Sequence, residues 1–254
     1  MEQIRYYKEL SDELVQNRNQ AYRVPADYVW IRDDSIRRLT AALCYGIAWG
    51  VGLIYSRLWL HVSIKNRNCI KPYQNTGCFL YANHTQPVGD VVLPAFASGG
   101  KRVYTIVSQA NLGLPVIGKI LPALGALPIP EDIPGWKAFR AAVERRILEK
   151  KCVVIYPEAH VWPYYTGIRP FPASSFRFPV ECGAPVFVMT TTYQKRKTGR
   201  TPKAKIYVDG PFWPDDSLKK KERQQHLRDQ VYACMTERSK NSTYDYIRYV
   251  KEGE

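Results

Sequence analysis

Four short, largely apolar runs constrain this chain more than anything else in it. They are Cys78–Ala82 (CFLYA), Val103–Val107 (VYTIV), Cys152–Tyr156 (CVVIY) and Val186–Met189 (VFVM). A strand with one wet face alternates apolar and polar residues, whereas a short continuous run suits a strand covered on both faces. Between the second and third runs lies Gly135–Lys151. There Trp136, Phe139, Val143 and Ile147 recur at helical spacing, with Lys and Arg on the other side. Strand, helix, strand in this order predicts an α/β layered fold with a largely parallel sheet. Leu121–Gly135 and Tyr156–Pro172 are proline-rich and read as loops. Gln194–Lys205 reads as a basic, exposed turn before a last strand, Ile206–Val208. The charged stretch Ser217–Glu254 reads as helical.

The 254 residues suffice for one sizeable core with an appended segment. That segment announces itself at Leu39–Ser56 (LTAALCYGIAWGVGLIYS), which carries no formal charge and is flanked by Arg37, Arg38 and Arg57. It sits at the short end of what crosses a bilayer. Trp49, Tyr55 and Trp59 are residue types that favour the membrane interface. Three arrangements fit: a spanning or re-entrant helix, a helix lying in the interface, and a buried helix. The expected division is an N-terminal helical, membrane-associated segment over residues 1–62 and a second domain over 63–254. Met1–Asn19 is charged and polar, so no cleavable signal peptide is expected.

There are 37 Lys plus Arg against 23 Asp plus Glu, a formal charge of +14. Such a balance implies an acidic partner: nucleic acid, anionic lipid or a phosphorylated substrate. No nucleic-acid-binding motif occurs, and nucleic acid would leave the apolar stretch unexplained. The six cysteines include no C-x-x-C pair, and Cys44, Cys78 and Cys152 sit in apolar runs. With four scattered histidines, this pattern predicts a reduced, cytosol-facing protein without a structural metal.

Two polar clusters directly follow apolar runs, and ligands in open α/β sheets bind beyond the carboxyl ends of the strands. The first is Asn83-His84-Thr85-Gln86-Pro87-Val88-Gly89-Asp90. A histidine takes a proton from a hydroxyl near neutral pH, and a carboxylate orients the ring and stabilises its cation. Residues six apart do not share a helix face, so the pair meets only if His84 lies on a turn before a helix begun near Pro87. The second cluster is Tyr156-Pro157-Glu158-Ala159-His160. Its carboxylate can bind a substrate hydroxyl or brace a loop. Taken singly, the two clusters are better explained as a structural histidine and an ordinary turn carboxylate.

Together and in this order, the clusters resemble the glycerolipid acyltransferases typified by 1-acylglycerol-3-phosphate acyltransferase. That family's first motif is N-H-x-x-x-x-D, to which Asn83, His84 and Asp90 correspond. Its third is F-P-E-G, matched in its first three places by Tyr156, Pro157 and Glu158. Gly125-Ala126-Leu127-Pro128-Ile129 resembles the opening of the second motif, and Ala184–Val188 the final strand entered through proline. The likeness covers about residues 78–190. It departs from the pattern in three places. Five residues separate His84 from Asp90, with Gly89 where the aspartate is expected. Glu131 stands where the second motif ends in a phosphate-binding arginine. Ala159-His160-Val161 replaces Gly-Thr-Arg. Lys101, Arg102, Lys119, Arg169 and Arg177 are the cations that could substitute for those arginines.

The resemblance implies an acyltransferase-like mixed, largely parallel sheet flanked by helices. It implies transfer of a fatty acyl group from acyl-CoA or acyl carrier protein to a hydroxyl of a lysophospholipid or related lipid, in phospholipid biosynthesis. No bound cofactor or metal is implied. His84 is then the general base and Asp90 its orienting carboxylate. Asn83, Pro157, Glu158, His160, Lys101 and Arg102 are the expected substrate-binding residues. The expected partners are a lipid acceptor, the acyl donor and an anionic membrane surface at the cytoplasmic face. A non-catalytic homologue that binds lipid or an acyl carrier is the alternative implied by the departures.

Overall fold

The apolar runs become the centre of a seven-stranded sheet, because a strand without a polar face must be covered on both sides. The computed structural model describes residues 3–15, 21–25, 27–199 and 201–253. Parts of the polar stretch Met1–Asn19, residue 200 of the basic turn and residue 254 lie outside the described residues. The sheet is built from β2 (Ser63–Lys65), β3 (Cys78–Ala82), β4 (Val103–Val107), β5 (Ala126–Pro128), β6 (Cys152–Ile155), β7 (Val186–Gln194) and β8 (Lys203–Phe212), once β1 (Gln3–Tyr7) is set aside. Their spatial order is β2-β8-β7-β3-β6-β4-β5. The five strands from β7 to β5 are parallel, and only β8 runs antiparallel to its neighbour β7.

Alternation along the strands divides the core into two layers. Phe79, Tyr81, Val153, Ile155, Val186 and Val188 face one way. They are covered by Phe139, Val143 and Ile147 of α4 (Ile133–Leu148) and by Leu227, Val231 and Met235 of α6 (Lys220–Ser239). Leu80, Ala82, Val154, Phe187 and Met189 face the other way, against Leu93 and Ala97 of α2 (Gly89–Ala97) and Ile70. Cys78 and Cys152 lie side by side in register in this second layer. All six cysteines are free.

The apolar N-terminal stretch is the helix α1 (Ser35–Ile54), begun by the Asp34 side chain accepting from the Arg37 amide. A π-helical turn extends it to Trp59. It is the one described helix long and apolar enough to cross a membrane. Its inner side packs on α2 and on α3 (Ile117–Leu124). At Gly52 a side chain would collide with Val92, at 2.9 Å, so glycine permits this close approach. Its outer stripe, Ile36, Leu39, Leu43, Ile47, Val51 and Ile54, is exposed.

Three expectations change. Leu121–Gly135 is not a loop. It holds the end of α3, the strand β5 and the start of α4, whose cap is Asp132. Pro122 lies in the last turn of α3, and Pro134 lies at the start of α4, where proline costs no hydrogen bond. Ser217–Glu254 is helical only through Ser239 and ends in β9 (Ile247–Lys251). The segment before residue 63 is not wholly helical, because β1 pairs in parallel with β9 as a separate two-stranded sheet. Trp30, buried in the main core, donates from its indole to the carbonyl of Pro128 at 2.9 Å.

Candidate active site

β3 and β6 are neighbours, and both polar clusters emerge from their carboxyl ends. Beyond Ala82 the chain leaves the sheet through Asn83, whose amide replaces the ladder. Its oxygen accepts from the Thr191 amide at 2.8 Å and its nitrogen donates to the Thr191 carbonyl at 3.0 Å. This fixes where the next residue, His84, begins.

His84 lies on a turn that precedes α2, so the six-residue separation from Asp90 is spanned by non-helical backbone. Its Nδ1 is 2.7 Å from Asp90 Oδ2. The same carboxylate oxygen accepts from the Gln86 amide at 2.9 Å, and the Asp90 amide donates back to the Gln86 carbonyl at 3.0 Å. The extra residue is Gly89, where a Cβ would sit 3.0 Å from atoms of both Gln86 and Leu93. Glycine lets the turn close tightly enough for Asp90 to reach the ring. The His84 ring lies on Tyr156, with centroids 4.4 Å apart, and the Tyr156 hydroxyl donates to the Asp90 carbonyl at 2.7 Å.

The imidazole side chain is 23% exposed and the Asp90 side chain 4%. A nitrogen that contacts Asp90 leaves Nε2 as the other face of the ring. Burial pushes the Asp90 carboxyl above the usual range, opposed by His84 and by the Gln86 amide.

Glu158 faces inward. Its Oε2 accepts from the His84 amide at 2.9 Å and its Oε1 from the Arg169 amide at 2.8 Å. The Arg169 guanidinium is 3.5 Å from Oε2, stacks on the Trp162 indole and donates to the His160 carbonyl. Burial raises the Glu158 carboxyl, and Arg169 opposes that rise. Glu158 therefore ties the backbone of the first cluster to that of the second. Pro157 sits half-buried in the connecting turn. Ala159 adopts φ +65°, a conformation that glycine takes without strain. The family's motif has glycine at this place. The half-exposed His160 ring lies 3.9 Å from Glu13 and makes no hydrogen bond to the His84–Asp90 pair.

Lys101 and Arg102 do not join the site. They precede β4, at the amino edge of the sheet. Lys101 is buried and donates to three carbonyls, of Gln74, Thr76 and Lys150. Arg102 stacks on Tyr45 and donates to Ala123. Of the other candidate cations, Arg169 is engaged with Glu158, and Arg177 stacks on Trp136 and Phe178. Glu131, in the place of the second motif's arginine, pairs with Arg23 at 2.7 Å.

Sequence reasoning passed over Tyr193 and Gln86. The fully buried Tyr193 hydroxyl accepts from Gln86 Nε2 at 2.8 Å and lies 3.2 Å from Thr85 Oγ1, which stiffens the turn from below. The available signal was the polar run Thr190-Thr191-Thr192-Tyr193 directly after an apolar strand, at the same sheet edge as both clusters.

A carboxylate-oriented histidine at a strand end, braced by a buried glutamate, is an arrangement suited to taking a proton from a hydroxyl. The Acyltransferase family matches residues 61–192 in sequence. The crystal structure of the 1-acyl-sn-glycerophosphate (LPA) acyltransferase PlsC from Thermotoga maritima is similar in fold. Its TM-score is 0.55 at 14% identity, over 85% of this chain and 87% of that one. No curated protein matches the chain. The chain belongs to the Acyltransferase family.

Proposed function

We propose that the chain transfers a fatty acyl group from a thioester, acyl-CoA or acyl carrier protein, to a hydroxyl of a lysophospholipid or related lipid. The observation that carries this reading is the His84–Asp90 contact of 2.7 Å, made across a five-residue spacing. Asp90 Oδ2 accepts from Nδ1, so Nε2 carries the lone pair, an assignment that follows from the hydrogen bond. Nε2 takes the proton of the acceptor hydroxyl as its oxygen attacks the thioester carbonyl. The tetrahedral intermediate then collapses, the C–S bond breaks, and the imidazolium returns the proton to the leaving thiolate. Asp90 stabilises the transient cation and holds the tautomer. Glu158 positions both clusters through the His84 and Arg169 amides. No acyl-enzyme is needed, because the acceptor oxygen is the nucleophile.

The exposed stripe of α1 supports a membrane-surface setting, in keeping with amphiphilic substrates. The cations named as replacements for the missing arginines are engaged elsewhere, with Lys119 alone unassigned. This favours acceptors recognised by their hydroxyl and chain over those held by a clamped phosphate.

The test is acyl transfer from labelled acyl-CoA and acyl carrier protein to a panel of lysolipids, charged and neutral, with wild type beside His84→Ala. Product from wild type that vanishes in the variant supports the reading and names the acceptor. Folded wild type without product from any pair would favour the non-catalytic lipid-binding homologue.

A further inference from the structure

At the amino edge of the sheet, away from His84, a cavity of about 700 Å³ opens between α1, the start of β4 and the end of α4. Seven arginines and lysines line it, against two carboxylates. Both carboxylates are already taken. Asp33 pairs with Arg145 at 3.3 Å, and Glu149 with Arg145 and Arg146 at 2.6 and 2.7 Å. Among the described residues no carboxylate pairs with Arg38, Arg102, Lys150 or Lys151, all of which line the cavity.

Two of the cations are held in place beforehand. Arg146 is 7% exposed, stacks on Tyr104 at 4.6 Å, and its Nε has no hydrogen-bond partner. Arg102 lies on the same ring at 5.8 Å and on Tyr45 at 3.8 Å, and its Nε is also unpartnered. Bringing two guanidinium groups to one ring is costly, and Glu149, 2.7 Å from Arg146, offsets only part of it. The rings and the carboxyl end of α4 offset part of that cost. A phosphate would offset more, since its oxygens accept from such forks directly.

The wall opposite these cations says what the phosphate belongs to. Arg38, Ala41 and Ala42 of α1 line the cavity, while Ile36, Leu39 and Leu43 of the same helix are exposed apolar residues. Leu148, 72% exposed, stands at the cavity as well. An amphiphile could therefore place its headgroup among the cations and its chains along α1.

We propose that this cavity is a second lipid site, distinct from the acyl-transfer site, that binds the phosphate headgroup of an anionic phospholipid. It rests on the reading that α1 meets a lipid surface, and it requires nothing of His84. Lys150 and Lys151 precede β6 whereas Glu158 follows it, so the two sites are separated by at least the strand's length, about 13 Å.

The experiment is calorimetric titration of the full chain with dihexanoyl phosphatidic acid, dihexanoyl phosphatidylcholine and inorganic phosphate, the lipids kept below micelle-forming concentration. The variants are Lys150→Glu/Lys151→Glu, both near the surface, and Arg146→Met with its fold checked by circular dichroism. Phosphatidic acid is expected to bind at least about tenfold more tightly than phosphatidylcholine, and to lose at least about tenfold in either variant. Binding that both folded variants retain overturns the site. Inorganic phosphate binding as tightly as phosphatidic acid, and equally sensitive to the variants, overturns the lipid assignment and leaves a free-phosphate site. Binding in a chain that transfers no acyl group would sink the proposed activity and leave this site standing.

Discussion

Asp90 and Glu158 are both buried carboxylates just beyond the carboxyl ends of neighbouring parallel strands, but their partners differ in their access to water. Asp90 holds a histidine whose side chain is 23% exposed, whereas Glu158 holds an arginine that is 1% exposed. The first pair keeps a nitrogen free to meet a reactant. In the second, both carboxylate oxygens accept backbone amides and the guanidinium is wrapped by carbonyls and an indole. Position at the sheet edge is therefore not what separates chemistry from bracing. What separates them is whether the partner of the carboxylate reaches the surface.

The sharpest way to break this comparison is His84→Ala. Turnover should fall about 10²- to 10⁴-fold, the range of general-base catalysis, with a melting temperature close to wild type. A thermal melt beside the acyl-transfer assay checks both halves. Asp90→Asn comes next, with a large loss of turnover. Because burial raises the Asp90 carboxyl, the stability its proton contributes is present in acid and lost as pH rises through the raised value. Ionised Asp90 thus costs stability at neutral pH. The asparagine variant should be at least as stable as wild type there, with the advantage shrinking as pH is lowered. Denaturation followed across that range decides it.

Arg169→Met reverses the pattern. It strands a buried carboxylate and should destabilise by about 3–5 kcal/mol in urea, while Glu158→Gln/Arg169→Met should recover much of that loss. If Arg169→Met melts like wild type, Glu158 is no brace. The smallest effect is expected from Tyr156→Phe. It removes one hydrogen bond to the Asp90 carbonyl and should cost about 1 kcal/mol with the ring stack kept, read from the same urea curves.

The parallel centre of the sheet was legible because β3 and β6 are apolar throughout, a pattern that two-sided burial demands, and β4 is broken only by Thr105. β7 extends five residues past the expected Met189, because Thr190–Thr192 read as polar yet are buried within the sheet. β8 was seen only at Ile206–Val208, since Lys203-Ala204-Lys205 precede it and Asp209-Gly210-Pro211 follow it, residues that read as turn or surface. β9 was not legible at all. Its sequence, IRYVK, is unremarkable, and its partner β1 lies at the other end of the chain. The His84–Asp90 pair could be anticipated from residue types, and the glycine that closes its turn was visible. The Glu158–Arg169 brace was not, because an irregular eleven-residue loop hides which side chain turns inward. Lys101 and Arg102 lie apart from the His84–Asp90 pair for a plainer reason. They precede a strand, and in a parallel sheet that places them at the edge opposite the site.

The β1–β9 pair also roofs the loop that carries Glu158. Tyr249 stacks on Trp162 and donates to the Pro163 carbonyl, Tyr7 packs on the same indole, and Thr166 donates to Asp245. During synthesis the seven-stranded sheet has all its strands once Phe212 has emerged, but the roof must wait for Ile247–Lys251 to reach back to Gln3–Tyr7. Such distant closure is entropically slow. A chain grown only through Phe212 therefore carries every strand of the sheet but lacks the strand that roofs the loop bearing Glu158.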